Sequence, residues 1–198
     1  GYCARMGEVD VRLVAHGDGA DKILDGAESI VQKHVGDFIY GRGDDQLEEV
    51  MVHELTKRGL TLAVAESCTG GFLAHRITNI SGASAVFLAG HCTYSNEAKQ
   101  ETLGVNPETL AGHGAVSEEV AREMAEGARA KHGADFALST TGIAGPTGGT
   151  EEKPVGTVFI ALAGPNGTEV INPCNPCDRE TFKYVATQQA LDFLRRNL

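Results

Sequence analysis

Three short stretches of the chain carry residue types that could do chemistry together. Ala65-Glu66-Ser67-Cys68-Thr69-Gly70-Gly71 puts a hydroxyl nucleophile, a carboxylate and two glycines side by side. Tyr94-Ser95-Asn96-Glu97-Ala98-Lys99 adds a phenol and an amine, and Ser139 to Gly149 runs from hydroxyls into a glycine-rich segment. In the first stretch, a helix start after a strand offers N–H groups that can hold an anion such as phosphate, and glycines let a ligand approach the backbone closely. The other reading of that stretch is a well-capped turn. It is neither the G-x-S-x-G elbow of α/β-hydrolases nor a P-loop, because no Gly-Lys-Ser/Thr follows. In the second stretch Asn96 is the expected helix N-cap, and Lys99 sits one turn beyond Ser95, so its amine could point back to the strand end. A lysine used as a base must be desolvated or lie near another cation; otherwise it is a solvated charge. No S-x-x-K spacing runs from Ser67 or Ser95. The glycines of the third stretch imply a backbone turning tightly around a ligand or past a neighbouring strand.

The elements that must position these groups can be read from periodicity. Alternation of Val9, Val11 and Leu13 with polar neighbours predicts a strand over 7–14 with one buried face. Ile23, Leu24, Ala27, Ile30, Val31 and Val35 recur at helical steps and predict one buried helical face, and Phe38-Ile39-Tyr40 reads as a second strand. Residues 41–45 read as a linker. Asp45 with Glu48 fits a capping box for a helix ending at Gly59. Leu62-Ala63-Val64-Ala65 suits a buried parallel strand, and Thr69-Gly70-Gly71 then opens a helix. A strand near 85–93, short helices over 96–103 and 107–112, and a helix from Ser117 follow. Phe136-Ala137-Leu138 reads as a strand, Val155–Ala163 and Glu169–Ile171 as a hairpin around Pro165-Asn166-Gly167, and 179–196 as a last helix. This order predicts an α/β fold: a three-layer α/β/α domain with a mixed sheet over 46–198, preceded by a small α+β fragment over 1–45. Ligands of open α/β sheets bind at the carboxyl ends of strands, where all three stretches fall.

Composition excludes several classes. The 198 residues carry Lys+Arg 17 against Asp+Glu 27, a net charge of −10, and no Trp. An acidic chain poor in aromatics is unsuited to nucleic acid, and no apolar run has the length of a membrane span. Five scattered cysteines and the lack of an opening signal segment point to a cytoplasmic protein rather than a disulfide framework.

Taken in order, the motifs closely resemble the CinA family, in particular its C-terminal nicotinamide-mononucleotide deamidase domain. Ala65–Gly71, Tyr94–Lys99, His113–Glu119, Thr141–Pro146 and Lys153–Val158 carry the resemblance, and Asp178-Arg179-Glu180 is similar to the start of the family's last helix. The likeness covers about 46–198, and residues 1–45 resemble the later part of a KH-like linker suited to scaffolding or dimerisation. The resemblance implies hydrolysis of the carboxamide of nicotinamide mononucleotide to nicotinate mononucleotide and ammonia, without metal or cofactor, by a homodimer or higher homo-oligomer. It implies Ser67 as nucleophile, with Tyr94 and Lys99 completing a Ser/Tyr/Lys apparatus. It further implies substrate contacts from Thr69, Gly70, Gly71, Thr141, Gly142, Ile143, Ala144 and Gly145. Glu66 is included among the substrate-binding residues, though a positional role suits it better, and Arg179 is a candidate phosphate ligand. The alternative is a nucleotide-binding regulatory module that does not turn over. RNA binding through the KH-like piece is discounted, since Gly17-Asp18-Gly19 is acidic and lacks G-x-x-G spacing.

Two places depart from the family pattern. His91-Cys92 stands where small or β-branched residues are expected, and Cys174 with Cys177 forms half a zinc site at best, most simply a loop with two incidental thiols.

Overall fold

A computed structural model describes residues 1–198. An antiparallel hairpin, β1 (Tyr2–Arg5) and β2 (Glu8–Val11), leads into α1 (Ala20–Val35) and a single 3-10 turn (Gly36–Phe38). Then follow α2 (Leu47–Arg58), β3 (Leu62–Glu66), α3 (Phe72–Thr78), β4 (Phe87–Cys92), α4 (Asn96–Leu103) and α5 (Pro107–His113). The chain ends with α6 (Glu118–His132), β5 (Phe136–Gly142), β6 (Val158–Gly164), β7 (Gly167–Ile171) and α7 (Arg179–Arg196). The five-stranded sheet has the order β4-β3-β5-β6-β7. Its first three strands are parallel, and the β6–β7 hairpin adds antiparallel pairs, giving the mixed α/β sheet that the sequence predicts.

Alternation along the central strands sorts side chains by size, and that sorting sets the layers. Leu62, Val64, Leu138, Val158 and Ile160 face one way, where they pack with Leu47, Met51, Leu55, Phe182 and Leu191 of α2 and α7. Ala63, Ala65, Ala137, Ala161 and Ala163 face the other way, against α6. Small residues on both surfaces let α6 lie close to the sheet, and Gly127 continues this on its outer side. A Cβ at Gly127 would fall 1.9 Å from the Leu103 carbonyl oxygen at the end of α4. No helix is long and apolar enough to cross a membrane.

Several local expectations are corrected. Alternation in β2 is inverted: Glu8 and Asp10 are the half-buried residues, while Val9 is 60% exposed. The polar residues face inward because Glu8 accepts from Tyr40 and from Gln188 of α7, and Asp10 pairs with Arg5. Phe38-Ile39-Tyr40 is not a strand; Phe38 closes the 3-10 turn, and Tyr40 is held through its side chain instead of a ladder. No residue of α1 is fully buried: Leu24, Ala27 and Val31 of its apolar stripe are half-buried, while Ile23 and Ile30 are about as open as Val9, so this chain covers the stripe only in part. Gln46, not Asp45, is the N-cap of α2; the Asp45 carboxylate accepts from the Arg42 N–H, and Glu48 pairs with Arg76. Ser95, not Asn96, caps α4, its Oγ accepting from the Ala98 N–H.

The close α4–α6 contact makes a direct prediction. Gly127→Ala must force α4 and α6 apart, at a cost of roughly 1–3 kcal/mol, read as a lower midpoint in urea unfolding. An unchanged midpoint would contradict this packing.

Candidate active site

β3 delivers Glu66 to the end of the sheet, and its side chain turns back into the protein instead of outward. Glu66 Oε2 accepts from Thr69 Oγ1 at 2.6 Å, Gly71 N–H at 3.1 Å and Leu73 N–H at 2.9 Å, while Oε1 accepts from Ala74 N–H at 2.8 Å. These N–H groups are the ones a helix start leaves without intrahelical partners, and a carboxylate there also complements the helix dipole. Thr69 Oγ1 further bonds Thr140 Oγ1 of β5 at 2.7 Å. Glu66 is 1% exposed and all its bonds are internal, so it builds the loop and does not reach a ligand. Thr69 is equally buried, and the glycine pair serves the turn: Gly70 and Gly71 adopt φ of 61° and 92°.

With the loop fixed, Ser67 is presented to a pocket of about 220 Å³ at the carboxyl ends of β3, β4 and β5. The Ser67 N–H donates to the Thr140 carbonyl at 2.8 Å, and the Thr93 N–H to the Glu66 carbonyl at 2.8 Å, extending the sheet by one residue on either side. Lys99 approaches from the first turn of α4 and is only 1% exposed. Its Nζ lies 3.1 Å from Ser67 Oγ, 2.9 Å from the Thr93 carbonyl and 3.5 Å from the Tyr94 carbonyl. No carboxylate pairs with it. Desolvation pushes its pKa below the ordinary lysine value, with the thiols of Cys68 and Cys92 opposing this weakly. The Thr93 hydroxyl beside it is buried with no partner.

The structure brings Ser67, Tyr94, Lys99, Thr141, Gly142, Ala144 and Arg179 to one pocket. Tyr94 does not meet Ser67 or Lys99 through its phenol. It stands 60% exposed at the rim, with its hydroxyl accepting from Arg179 Nη2 at 2.7 Å. Arg179 also donates to the Gly145 carbonyl at 3.2 Å, so Gly145 supports the rim from behind. Thr141 Oγ1 donates to the Ala115 carbonyl at 2.7 Å. Ile143 lies outside the pocket, its N–H bonded to the Thr157 carbonyl. The glycine loop wraps its own chain: a Cβ at Gly142 would lie 2.6 Å from the Thr157 carbonyl oxygen, and one at Gly145 2.6 Å from Val155. Close strand crossing, not a ligand, therefore explains those glycines.

Sequence reasoning missed three lining residues, Cys68, Ala115 and Val116. Ala115 and Val116 contribute shape and carry no chemical signal in sequence. Cys68 is buried, and desolvation pushes its thiol up to about 12, which keeps it protonated and a poor nucleophile. Outside the pocket, His91 of β4 and His132 of α6 bring their Nε2 atoms within 2.6 Å of one another.

Residues 44–198 match the family model described as the CinA C-terminal domain. The chain belongs to that family. It is 48% identical to a CinA-like protein of Kosmotoga olearia over 98% of this chain and 48% of the relative. A CinA-like protein of Geobacter sulfurreducens is 46% identical over the whole chain and again 48% of the relative. The chain thus spans about half the length of the curated relatives it matches. Among solved structures, a CinA superfamily protein from Escherichia coli superposes with a TM-score of 0.75 at 32% identity, covering 83% of this chain and 99% of that one. The competence damage-inducible protein A of Klebsiella pneumoniae gives 0.72 at 40% identity, covering 76% and 95%.

Two predictions follow from the buried groups. In Glu66→Gln an amide NH₂ would face backbone donors, costing about 1–3 kcal/mol in urea unfolding; retained stability would show that the carboxylate is not the anchor described. Lys99 behaves in the opposite sense. Its folded pKa is lowered, so between that value and about 10.4 the unfolded chain binds more protons, and native stability rises with pH across this window. Lys99→Met should therefore be at least as stable as the parent at pH 7, with the difference narrowing toward pH 10. A large destabilisation at pH 7 would mean that the amine is a structural cation.

Proposed function

We propose that this pocket hydrolyses the carboxamide of nicotinamide mononucleotide to nicotinate mononucleotide and ammonia through a serine ester. The observation that carries this reading is the Lys99 amine, buried without a counter-ion and 3.1 Å from Ser67 Oγ. A neutral amine has two N–H bonds and one lone pair. The Thr93 and Tyr94 carbonyls take the two N–H bonds, and the lone pair then faces the Ser67 hydroxyl. Burial lowers the pKa of the amine and so favours its neutral form, the form a general base needs. The substrate itself comes from the family resemblance: the pocket has room for a pyridine ring and its carboxamide, with the ribose phosphate left toward the Arg179 rim.

In the first step Lys99 takes the Ser67 proton as Oγ bonds to the carboxamide carbon. The oxyanion is met by the Cys68 N–H, next to the nucleophile, and by the Ala144 N–H; neither donates to another protein group. The C–N bond breaks, Lys99 returns the proton to nitrogen, and ammonia leaves an ester on Ser67. Water then attacks, Lys99 takes its proton, the C–O bond to Ser67 breaks, and Oγ recovers the proton. Both half-reactions close on neutral Lys99. Tyr94 has a different part: its carbonyl orients Lys99, while its phenol holds Arg179 at the rim.

The test is release of ammonia and nicotinate mononucleotide from nicotinamide mononucleotide, with and without chelator. Ser67→Ala should lower turnover by about 10³-fold or more, Cys68→Ala should retain it, and chelator should leave it unchanged. On the acid side kcat/KM should rise with pH as Lys99 deprotonates, with an apparent pKa below that of an ordinary lysine. A folded protein that binds the nucleotide yet releases no ammonia would instead favour a regulatory binding module.

A further inference from the structure

The phosphate monoester of such a substrate needs partners, and the loop that first suggests itself has few to give. The N–H groups of Gly71, Leu73 and Ala74 are spent on Glu66, and that of Gly70 donates to the Ser67 carbonyl at 3.1 Å. Positive charge at the rim comes instead from α7. Arg179, its first residue, lies on the Tyr94 and Gly145 flank of the pocket. Lys183 is one turn further along and so on the same helix face. Its Nζ sits 3.8 Å from where a Cβ on Gly70 would lie, the only atom within 4 Å of that point, and 5.8 Å from the Phe72 ring centroid.

Neither cation has a carboxylate partner. Asp178, the nearest acid in sequence, is occupied by the Thr181 hydroxyl and the N–H groups of Glu180 and Thr181. Arg179 thus stands at the pocket rim beside the 142–146 loop, and Lys183 stands beside Gly70 of the 67–71 loop. A side chain on Gly70 would approach the Lys183 amine. In a chain of net charge −10 these are two cations without carboxylate partners, one turn of α7 apart, next to the pocket rim and the loop that carries Ser67.

We propose that Lys183 acts with Arg179 to hold the 5′-phosphate of the substrate over Gly70, and that Lys183 sets the preference for a nucleotide over the corresponding nucleoside. This rests on the amidase reading above, to which it adds a specificity-determining residue. Charge-assisted contacts of this kind change affinity by about 10- to 100-fold.

The experiment compares kcat/KM for nicotinamide mononucleotide and nicotinamide riboside, which carries the same carboxamide without the phosphate, in the parent, Lys183→Met and Lys183→Arg. Where riboside turnover is too slow, its inhibition constant against the mononucleotide replaces it. Lys183→Met should cut the mononucleotide-over-riboside preference by about 10- to 100-fold, mainly through KM, and Lys183→Arg should restore most of it. An unchanged preference in Lys183→Met, or an equal loss on both compounds, would overturn the assignment while leaving the amidase reading intact. A parent protein that turns over neither compound would overturn the amidase reading, and this assignment with it.

Discussion

The Glu66 carboxylate collects four donors inside the molecule, and through it one residue ties together every element that the site needs. Its side chain fastens the 67–71 loop and the first turn of α3. Its own carbonyl receives the Thr93 N–H, and the Thr93 carbonyl in turn receives the Lys99 amine. Ser67, the next residue, is pinned to β5 by its N–H bond to Thr140. Ser67 and Lys99 therefore share one short chain of hydrogen bonds across three adjacent strands. Such a buried network is rigid when fully satisfied and costly when any member is lost.

Two buried cations show how differently the same fold treats positive charge. Arg76 of α3, 4% exposed, meets Glu48 of α2 at 2.6 Å, Gln188 Oε1 at 2.6 Å and Thr187 Oγ1 at 2.9 Å. It clamps α2 and α3 to α7, and so fixes the helix that carries Arg179 and Lys183. Lys99 is buried as deeply but receives only carbonyls and a hydroxyl. A satisfied ion pair is a structural device, whereas a desolvated amine held against a hydroxyl is stored reactivity. The contrast separates the two roles without appeal to any single distance.

Most of the main domain was legible in sequence because the centre of its sheet is buried on both faces, so β3 and β5 read as short apolar runs, and turn and capping residues such as Gly70-Gly71 and Ser117 place helices between them. Ser67 and Lys99 were legible as site candidates from their places at strand-to-helix turns, whereas Thr141 and Arg179 were reached through the family resemblance. Glu66 was harder: a carboxylate beside a serine looks the same in sequence whether it faces a ligand or caps a helix. The glycine loop was ambiguous for a similar reason, since close backbone crossing and ligand approach ask for the same residue. The first 45 residues were read least well. Alternation in β2 exists, but ion pairing and the Tyr40 and Gln188 contacts turn its polar side inward, and the four residues of β1, all exposed, carry no alternation to read. Periodicity in α1 marks an apolar face without saying what covers it.

The central claim is that a loop anchored by Glu66 sets Ser67 against a desolvated Lys99 amine, and the proposed mechanism makes Ser67 the nucleophile. The most direct measurement is rapid acid quench of the protein with nicotinamide mononucleotide, followed by intact-mass analysis and peptide mapping. The account predicts a transient adduct equal to the substrate less ammonia, mapped to Ser67 and absent in Ser67→Ala. An adduct on Cys68, or turnover with isotopic water entering the product and no adduct at any time, would contradict it.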